Sequence, residues 1–358
     1  MSARTERLLA AIEAAGIDRL LVTQPSNLRY LTGFTGSNGL AVVGREELLF
    51  VTDFRYVEQA ATEVDQAFAR VQATGQLART VAARLDGSGS LRLGFDDAHI
   101  SVLAHERLRD LLPNGVELMP AAGLVERLRR VKEAGEVERI AACARLADEA
   151  LEEVLDRGVV GRTERELALA LEVAMRERGA SGPSFPPIIA AGPHGALPHA
   201  EPRDVAVAAG ELLVVDWGAV LDGYCSDCTR TFATGSLSGE AAAVYELVRA
   251  AQQAGLTAVR AGVPGREVDS IVRQVIADGG YGEQFGHGLG HGVGLETHEE
   301  PRLSSRSDDV LEAGNVVTIE PGIYLPGRFG VRIEDLPVVR DDGCEVLTGL
   351  AKSLRVLS

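Results

Sequence analysis

Five residues, Asp216, Asp227, His291, Glu320 and Glu334, have types and surroundings that call for shared chemistry. Residues 211–233 (ELLVVDWGAVLDGYCSDCTRTFA) read as a β-hairpin, because Asp222-Gly223 is suited to a tight turn between strands. With that turn Asp216 faces Thr229, and Asp227 lies diagonally beside Asp216 on the same face. Two carboxylates so close repel, and one must take up a proton unless a cation lies between them. Taken alone, the hairpin fits a solvent-facing strand aspartate equally well.

The next informative stretch is GEQFGHGLGHGVGLETHEEPR, 282–302, where His287, His291 and His298 are interleaved with glycines. That composition is unsuited to an amphipathic core element, and glycines let backbone and side chains crowd around a ligand. Further on, VVTIEPGIY (316–324) and GVRIEDLPVV (330–339) read as strands, each with a glutamate inside an apolar run. Buried carboxylates need partners, and Arg332 alone cannot serve both Glu320 and Glu334. A cation answers all these demands at once.

Four carboxylates and a histidine make a hard, oxygen-rich donor set, which favours Mn²⁺ over Zn²⁺, with Co²⁺ or Fe²⁺ also fitting. The donors outnumber the needs of one catalytic ion and match a pair about 3.5–4 Å apart. Such a pair lowers the pKa of a shared water and clamps an oxyanion, so amide hydrolysis is the expected reaction. Cys225-Ser-Asp-Cys228 raises zinc or redox chemistry, but no second CxxC completes a zinc site. Nor does the pair stand at the helix start that would lower a thiol's pKa.

These residues need a scaffold, and the chain is long enough for two domains. The first third alternates helical patterns (3–15, 76–86, 101–112) with strand-like runs (19–23, 39–43, 47–52, 91–95), an α/β arrangement with short connections. It shows no convergent set of metal or acid–base residues, and its His99 and His105 read as surface or capping groups. Residues 1–122 are expected to form this domain and 123–133 a linker helix, with 134–358 forming the catalytic domain. Thr163 and Glu166 suggest a capping box opening a helix over 163–178. Beyond Gly182 the chain reads as β-rich and glycine-rich, with His194 structural or exposed.

The net charge of −16 disfavours nucleic acid and anionic membranes as partners. No apolar run reaches the length of a membrane span, and the amphipathic N-terminus lacks the features of a secretory signal. Four scattered cysteines make no disulfide framework and fit a reducing cytoplasm.

VVDWG, SDCTRT, GHGLGHGVGLETHEEP, TIEPGIY and VRIED occur in the order found in the M24 "pita-bread" metallopeptidases, and the chain resembles their Xaa-Pro branch of prolidases and aminopeptidases P. The intervals of 11, 29 and 14 residues from Asp216 to Asp227, His291 to Glu320 and Glu320 to Glu334 are similar to those of compact prolidases. YLTGFTGSNG at 30–39 resembles the family's creatinase-type N-terminal domain.

The resemblance implies that Asp216 chelates one metal, that Asp227 and Glu334 bridge, and that His291 and Glu320 complete the second. Glu320 is then the proton shuttle, while His199 and His298 stabilise the tetrahedral intermediate or hold the scissile carbonyl. His287 would line the substrate pocket, with Arg332 and Tyr324 as orienting groups. Arg332, two residues from Glu334 on the same strand face, is also expected from spacing to fix a carboxylate. A homodimer is implied as well.

Two activities stay open, hydrolysis of Xaa-Pro dipeptides and removal of Xaa from longer Xaa-Pro peptides. A dipeptidase must bind a free carboxylate beside proline, for which Arg302 and Arg306, 18 and 14 residues before Glu320, are candidates. The short N-terminal domain inclines the reading to the dipeptidase. A non-catalytic pita-bread binding protein would have lost metal ligands, and none is lost here.

Overall fold

The computed structural model describes residues 2–87 and 89–358, which fall into two compact units, Met1–Arg129 and Arg130–Ser358. The first unit carries helices α1 (Ala3–Ala14), α2 (Pro25–Thr32), α3 (Val57–Glu63), α4 (Leu77–Leu85), α5 (Val102–Leu111) and most of α6 (Leu124–Arg130). Its strands are β1 (Arg19–Val22), β2 (Gly39–Gly44), β3 (Leu48–Asp53), β4 (Ala69–Ala73), β5 (Leu91–Phe95) and β6 (Val116–Pro120). They form one mixed sheet in the order β4-β3-β2-β1-β5-β6, antiparallel across β1–β2–β3 and parallel elsewhere.

The sequence pattern marks the buried inner strands but not β4 and β6. Both are edge strands with weak inside–outside contrast, only Ala73 of β4 being buried. Helix α2 is equally inconspicuous, opening on Pro25 in its first turn and ending at Gly33 with φ 84°. One expectation is overturned in this unit. Asp96 and His99, near each other in the chain, and the more distant Glu126 bring ligand atoms within 4.8 Å of one another. Chain spacing hides such a set because the loop after β5 and the start of α6 meet only in three dimensions.

The second unit begins with α7 (Ala134–Asp156) and α8 (Glu164–Glu177), the latter opened by the reciprocal Thr163–Glu166 capping box. Then come β7 (Gly182–Pro183), β8 (Ile188–Ala191), β9 (Leu212–Trp217), β10 (Ala219–Leu221), β11 (Tyr224–Cys225) and β12 (Cys228–Ala233). Two long helices follow, α9 (Gly239–Ala258) and α10 (Gly265–Asp278), and correct the reading of a wholly β-rich second half. Their buried stripes, Val244, Val248, Ala251 and Gly255 on α9 and Val268, Val272 and Ile276 on α10, recur at helical spacing.

Strands β13 (Gly290–Gly292), β14 (Glu299–Leu303), β15 (Gly322–Leu325), β16 (Phe329–Arg332), β17 (Pro337–Arg340) and β18 (Gly343–Val346) complete the unit as antiparallel pairs.

The hairpin over 211–233 keeps its expected register throughout, Leu221 opposite Tyr224 and Asp216 opposite Thr229. Positive φ at Asp222 (48°) and Gly223 (78°) makes the tight turn possible. It is not one continuous ribbon. At Gly218 it divides between two small sheets, where a Cβ would come within 2.0 Å of the Ser226 carbonyl oxygen. Ser226-Asp227 leaves the ladder there, which frees Asp227 to turn inward.

Glu320 and Glu334 also depart from expectation. Both lie in irregular extended segments outside β15, β16 and β17, joined by the isolated bridge between Ile319 and Asp335. Ile319, fully buried, is backed by α9 at Gly255, where a Cβ would come within 2.7 Å of it.

Candidate metal centre

Asp216 is the penultimate residue of β9, where it is paired with Thr229 of β12. Two further segments are stitched to this hairpin and to the chain around β13 by backbone bonds. Glu334 donates its amide to the Thr229 carbonyl (3.0 Å), Thr318 to that of His291 (2.8 Å) and Glu320 to that of Leu289 (3.0 Å). The glycines around His291 make the approach possible, since a Cβ on Gly290 would come within 2.0 Å of the Thr318 carbonyl oxygen. All five expected residues converge as a result. Asp216, Asp227 and Glu334 offer oxygens within 4.8 Å of one another, and Nε2 of His291 lies 3.7 Å from Asp227 and 3.4 Å from Glu320.

His291 is set up as a ligand by its own backbone. Its Nδ1 lies 3.1 Å from the Gly292 carbonyl, which can only accept, so Nδ1 carries the proton. The Nε2 lone pair then faces the carboxylates, the arrangement that metal-binding histidines need. Burial and the neighbouring His298 lower its pKa to about 3, which keeps the ring neutral.

The carboxylates are pushed the other way. Asp227 and Glu334 are raised well above the usual range by burial and then by neighbouring carboxylates, and burial and Asp216 raise Glu320 to about 8. Unit charges of like sign 4 Å apart repel by about 4 kcal/mol at an effective dielectric of 20, whereas a hydrogen bond returns about 1 kcal/mol. The Thr229 hydroxyl to Glu334 (2.7 Å) and the Thr318 hydroxyl to Glu320 (3.2 Å) orient these groups without neutralising them. Oδ1 of Asp216 is buried with no hydrogen-bond partner. An orphaned anionic oxygen amid clustered carboxylates and an imidazole lone pair suits divalent cations.

Arg332 does not hold Glu334. It donates through Nη2 to Oδ2 of Asp216 (2.7 Å), through Nε to the Thr229 hydroxyl (3.1 Å) and through Nη1 to the Tyr324 hydroxyl (2.9 Å). Same-face spacing misleads because the chain leaves regular strand after Arg332. Glu334 depends instead on Thr229 and on a backbone carbonyl held by Arg230, which also pairs with buried Asp335 at 2.7 Å. Thr229, Thr318, Arg230 and Asp335 are the supporting residues that sequence reasoning leaves out. Their signal was polarity inside fully buried strands and segments.

A cavity of about 530 Å³ opens onto the carboxylates and is lined also by His199, His287, His298, Arg302 and Arg332. His199 and His298 are exposed within it, and the His298 ring lies 4.3 Å from that of His291. His287 accepts at Nε2 from the Tyr324 hydroxyl (3.0 Å), because its Nδ1 is committed to the Gly288 carbonyl. Arg302 stands opposite His291 in the β13–β14 pair. Arg306 is exposed and is not part of the lining. His194 is buried against Glu164 at 2.9 Å, a structural role.

Cys225 and Cys228 are separate buried thiols whose pKa values burial raises, which fits neither a zinc site nor a reactive pair.

Residues 138–341 match metallopeptidase family M24, and residues 4–131 match the creatinase/prolidase N-terminal domain. A Xaa-Pro dipeptidase of Pyrococcus furiosus is 35% identical over 356 residues, 99% of this chain and 100% of that protein. The solved structure of a Xaa-Pro dipeptidase from Bacillus anthracis superposes with a TM-score of 0.95 at 40% identity, covering 99% of both chains. That of an X-Pro aminopeptidase from Thermotoga maritima superposes at 0.91 with 36% identity, again over 99% of both. The chain belongs to metallopeptidase family M24, with a creatinase/prolidase domain preceding its peptidase domain.

Proposed function

We propose that this protein is a Xaa-Pro dipeptidase that holds two divalent ions, manganese in preference, between Asp216, Asp227, His291, Glu320 and Glu334. Asp216 would hold one ion, His291 and Glu320 the other, and Asp227 and Glu334 would serve both. When bound, such a pair supplies an activated water and polarises the carbonyl under attack. Glu320, oriented by the Thr318 hydroxyl, takes up and returns the proton. His199 and His298, exposed in the cavity, hold the scissile carbonyl and its developing charge. Phe185, Pro186, Pro187 and Pro198 line the same cavity and provide an apolar wall for the proline ring.

The observation that carries the dipeptidase reading is Arg302. It is exposed on the cavity lining opposite His291, and among the described residues no carboxylate lies within ion-pairing distance of its guanidinium. A free guanidinium there suits the C-terminal carboxylate of a dipeptide. Arg306, outside the lining, is the weaker candidate for this task.

The likeness to an X-Pro aminopeptidase keeps the second activity in view. Comparing Met-Pro with a Met-Pro tripeptide decides between them. Efficient cleavage of Met-Pro is expected, and cleavage of the tripeptide alone would make the enzyme an aminopeptidase. A homodimer in a reducing cytoplasm completes the proposal. Its support is the exposed Phe54 and Val102 and the four free thiols.

A further inference from the structure

The first unit contains a second cluster that the peptidase reaction does not use. Asp96 follows β5, His99 lies three residues on, and Glu126 is in α6. Each offers a ligand atom within 4.8 Å of the others. Asp96 is 6% exposed, and its Oδ1 is buried without a hydrogen-bond partner. Its other oxygen accepts a long bond (3.4 Å) from the Asn27 amide, which donates at 2.6 Å to Oε1 of Glu126. Asn27 is held in that orientation by Arg129, which donates to its carbonyl oxygen at 2.8 Å.

One neutral amide is therefore shared between two carboxylates. Among the described residues the one basic side chain within ion-pairing distance of either is His99, with Nε2 at 3.9 Å from Glu126. Both carboxylates also border a cavity of about 10 Å³ whose other walls, apart from Asn27, are apolar, including Leu21, Val22 and Val125. That is room for about one water-sized atom. Paired negative charge beside an apolar pocket is costly, and an orphaned carboxylate oxygen adds to the cost.

We propose that Asp96, His99 and Glu126 form a further divalent-cation site in the N-terminal unit, taking an ion of the transition-metal class, zinc foremost. Two carboxylate oxygens and one imidazole nitrogen are a donor set that zinc accepts, with a fourth position left to water. Asn27, anchored by Arg129, orients the carboxylates from behind, as outer partners do around metal ligands. Burial, with the charge of Glu126 beside it, raises the Asp96 carboxyl, so the pair is a poor anion until something neutralises it.

The site is tested by metal content. Full-length protein is dialysed to equilibrium against Zn²⁺ and assayed by elemental mass spectrometry beside the Asp96→Asn/Glu126→Gln variant. His99→Ala is a second variant, chosen because its half-exposed ring can be removed without emptying a core. Both variants are expected to hold about one zinc ion per chain fewer than the wild type, with Xaa-Pro hydrolysis unchanged. The readout is a difference, so the occupancy of the Asp216 centre cancels and the result does not depend on the proposed peptidase reading. Equal zinc content in all three proteins would overturn the site and leave the two carboxylates sharing a proton.

Discussion

Arg332 donates to Oδ2 of Asp216 at 2.7 Å and leaves Oδ1 of the same carboxylate buried with no hydrogen-bond partner. One oxygen is thus fixed by the protein, and the other is kept for a cation. The same guanidinium reaches Thr229 and Tyr324, and Thr229 in turn holds Glu334. A single buried cation therefore sets two of the carboxylates, one directly and one through a hydroxyl.

Arg332→Lys keeps the charge but loses the fork that reaches Asp216, Thr229, Tyr324 and the Pro198 carbonyl. Metal affinity is expected to fall about 10–100-fold, as for other losses of outer-sphere support, with much of the activity regained at high metal concentration. Titration calorimetry with Mn²⁺ measures it, and unchanged affinity would remove Arg332 from this role.

Thr229→Val preserves shape but deletes the hydroxyl between Arg332 and Glu334. Stranding these buried groups is expected to cost about 1–3 kcal/mol of stability, while Thr229→Ser retains most of it. Denaturant unfolding of the metal-loaded proteins compares the two, and equal losses would mean that packing of the methyl group matters as much as the hydroxyl.

The acidity of Glu320 gives a signed pH effect. Its folded pKa, about 8, is raised above the unfolded value of about 4.5 by burial and by Asp216. In chelator-treated protein its contribution is fully present below the unfolded pKa and is lost as pH rises through about 8. Glu320→Gln stays neutral, so its stability relative to wild type is expected to climb between about pH 5 and 8 and then level off. The slope is at most about 1.4 kcal/mol per pH unit. A pH-independent difference would show that Glu320 is already ionised in the metal-free fold.

Much of this centre was legible in the sequence, and the reason is local. Asp222-Gly223 fixes the hairpin register, which places Asp216 opposite Thr229 before any tertiary contact is known. The histidines among glycines and the glutamates in apolar runs are each out of place for an ordinary core. What was not legible depends on distant segments meeting. The partner of Arg332 is 116 residues away in sequence, so spacing within its own segment pointed to Glu334 instead. Asp96, His99 and Glu126 stayed hidden for the same reason, and the edge strands β4 and β6 because exposure blurs their alternation.

Arg302→Ala is expected to raise KM for Met-Pro by about tenfold or more, with a much smaller effect on a Met-Pro tripeptide and little change in kcat for either. Arg306→Ala should change neither substrate appreciably. Equal effects of Arg302→Ala on the two substrates would count against carboxylate recognition.

The central claim is that Asp216, Asp227, His291, Glu320 and Glu334 together hold a pair of metal ions. Anomalous diffraction at the manganese edge, from crystals grown with Mn²⁺, tests it most directly. Two peaks about 3.5–4 Å apart, together bonded by these five side chains, are the expected result. A single peak, or none among them, would contradict it.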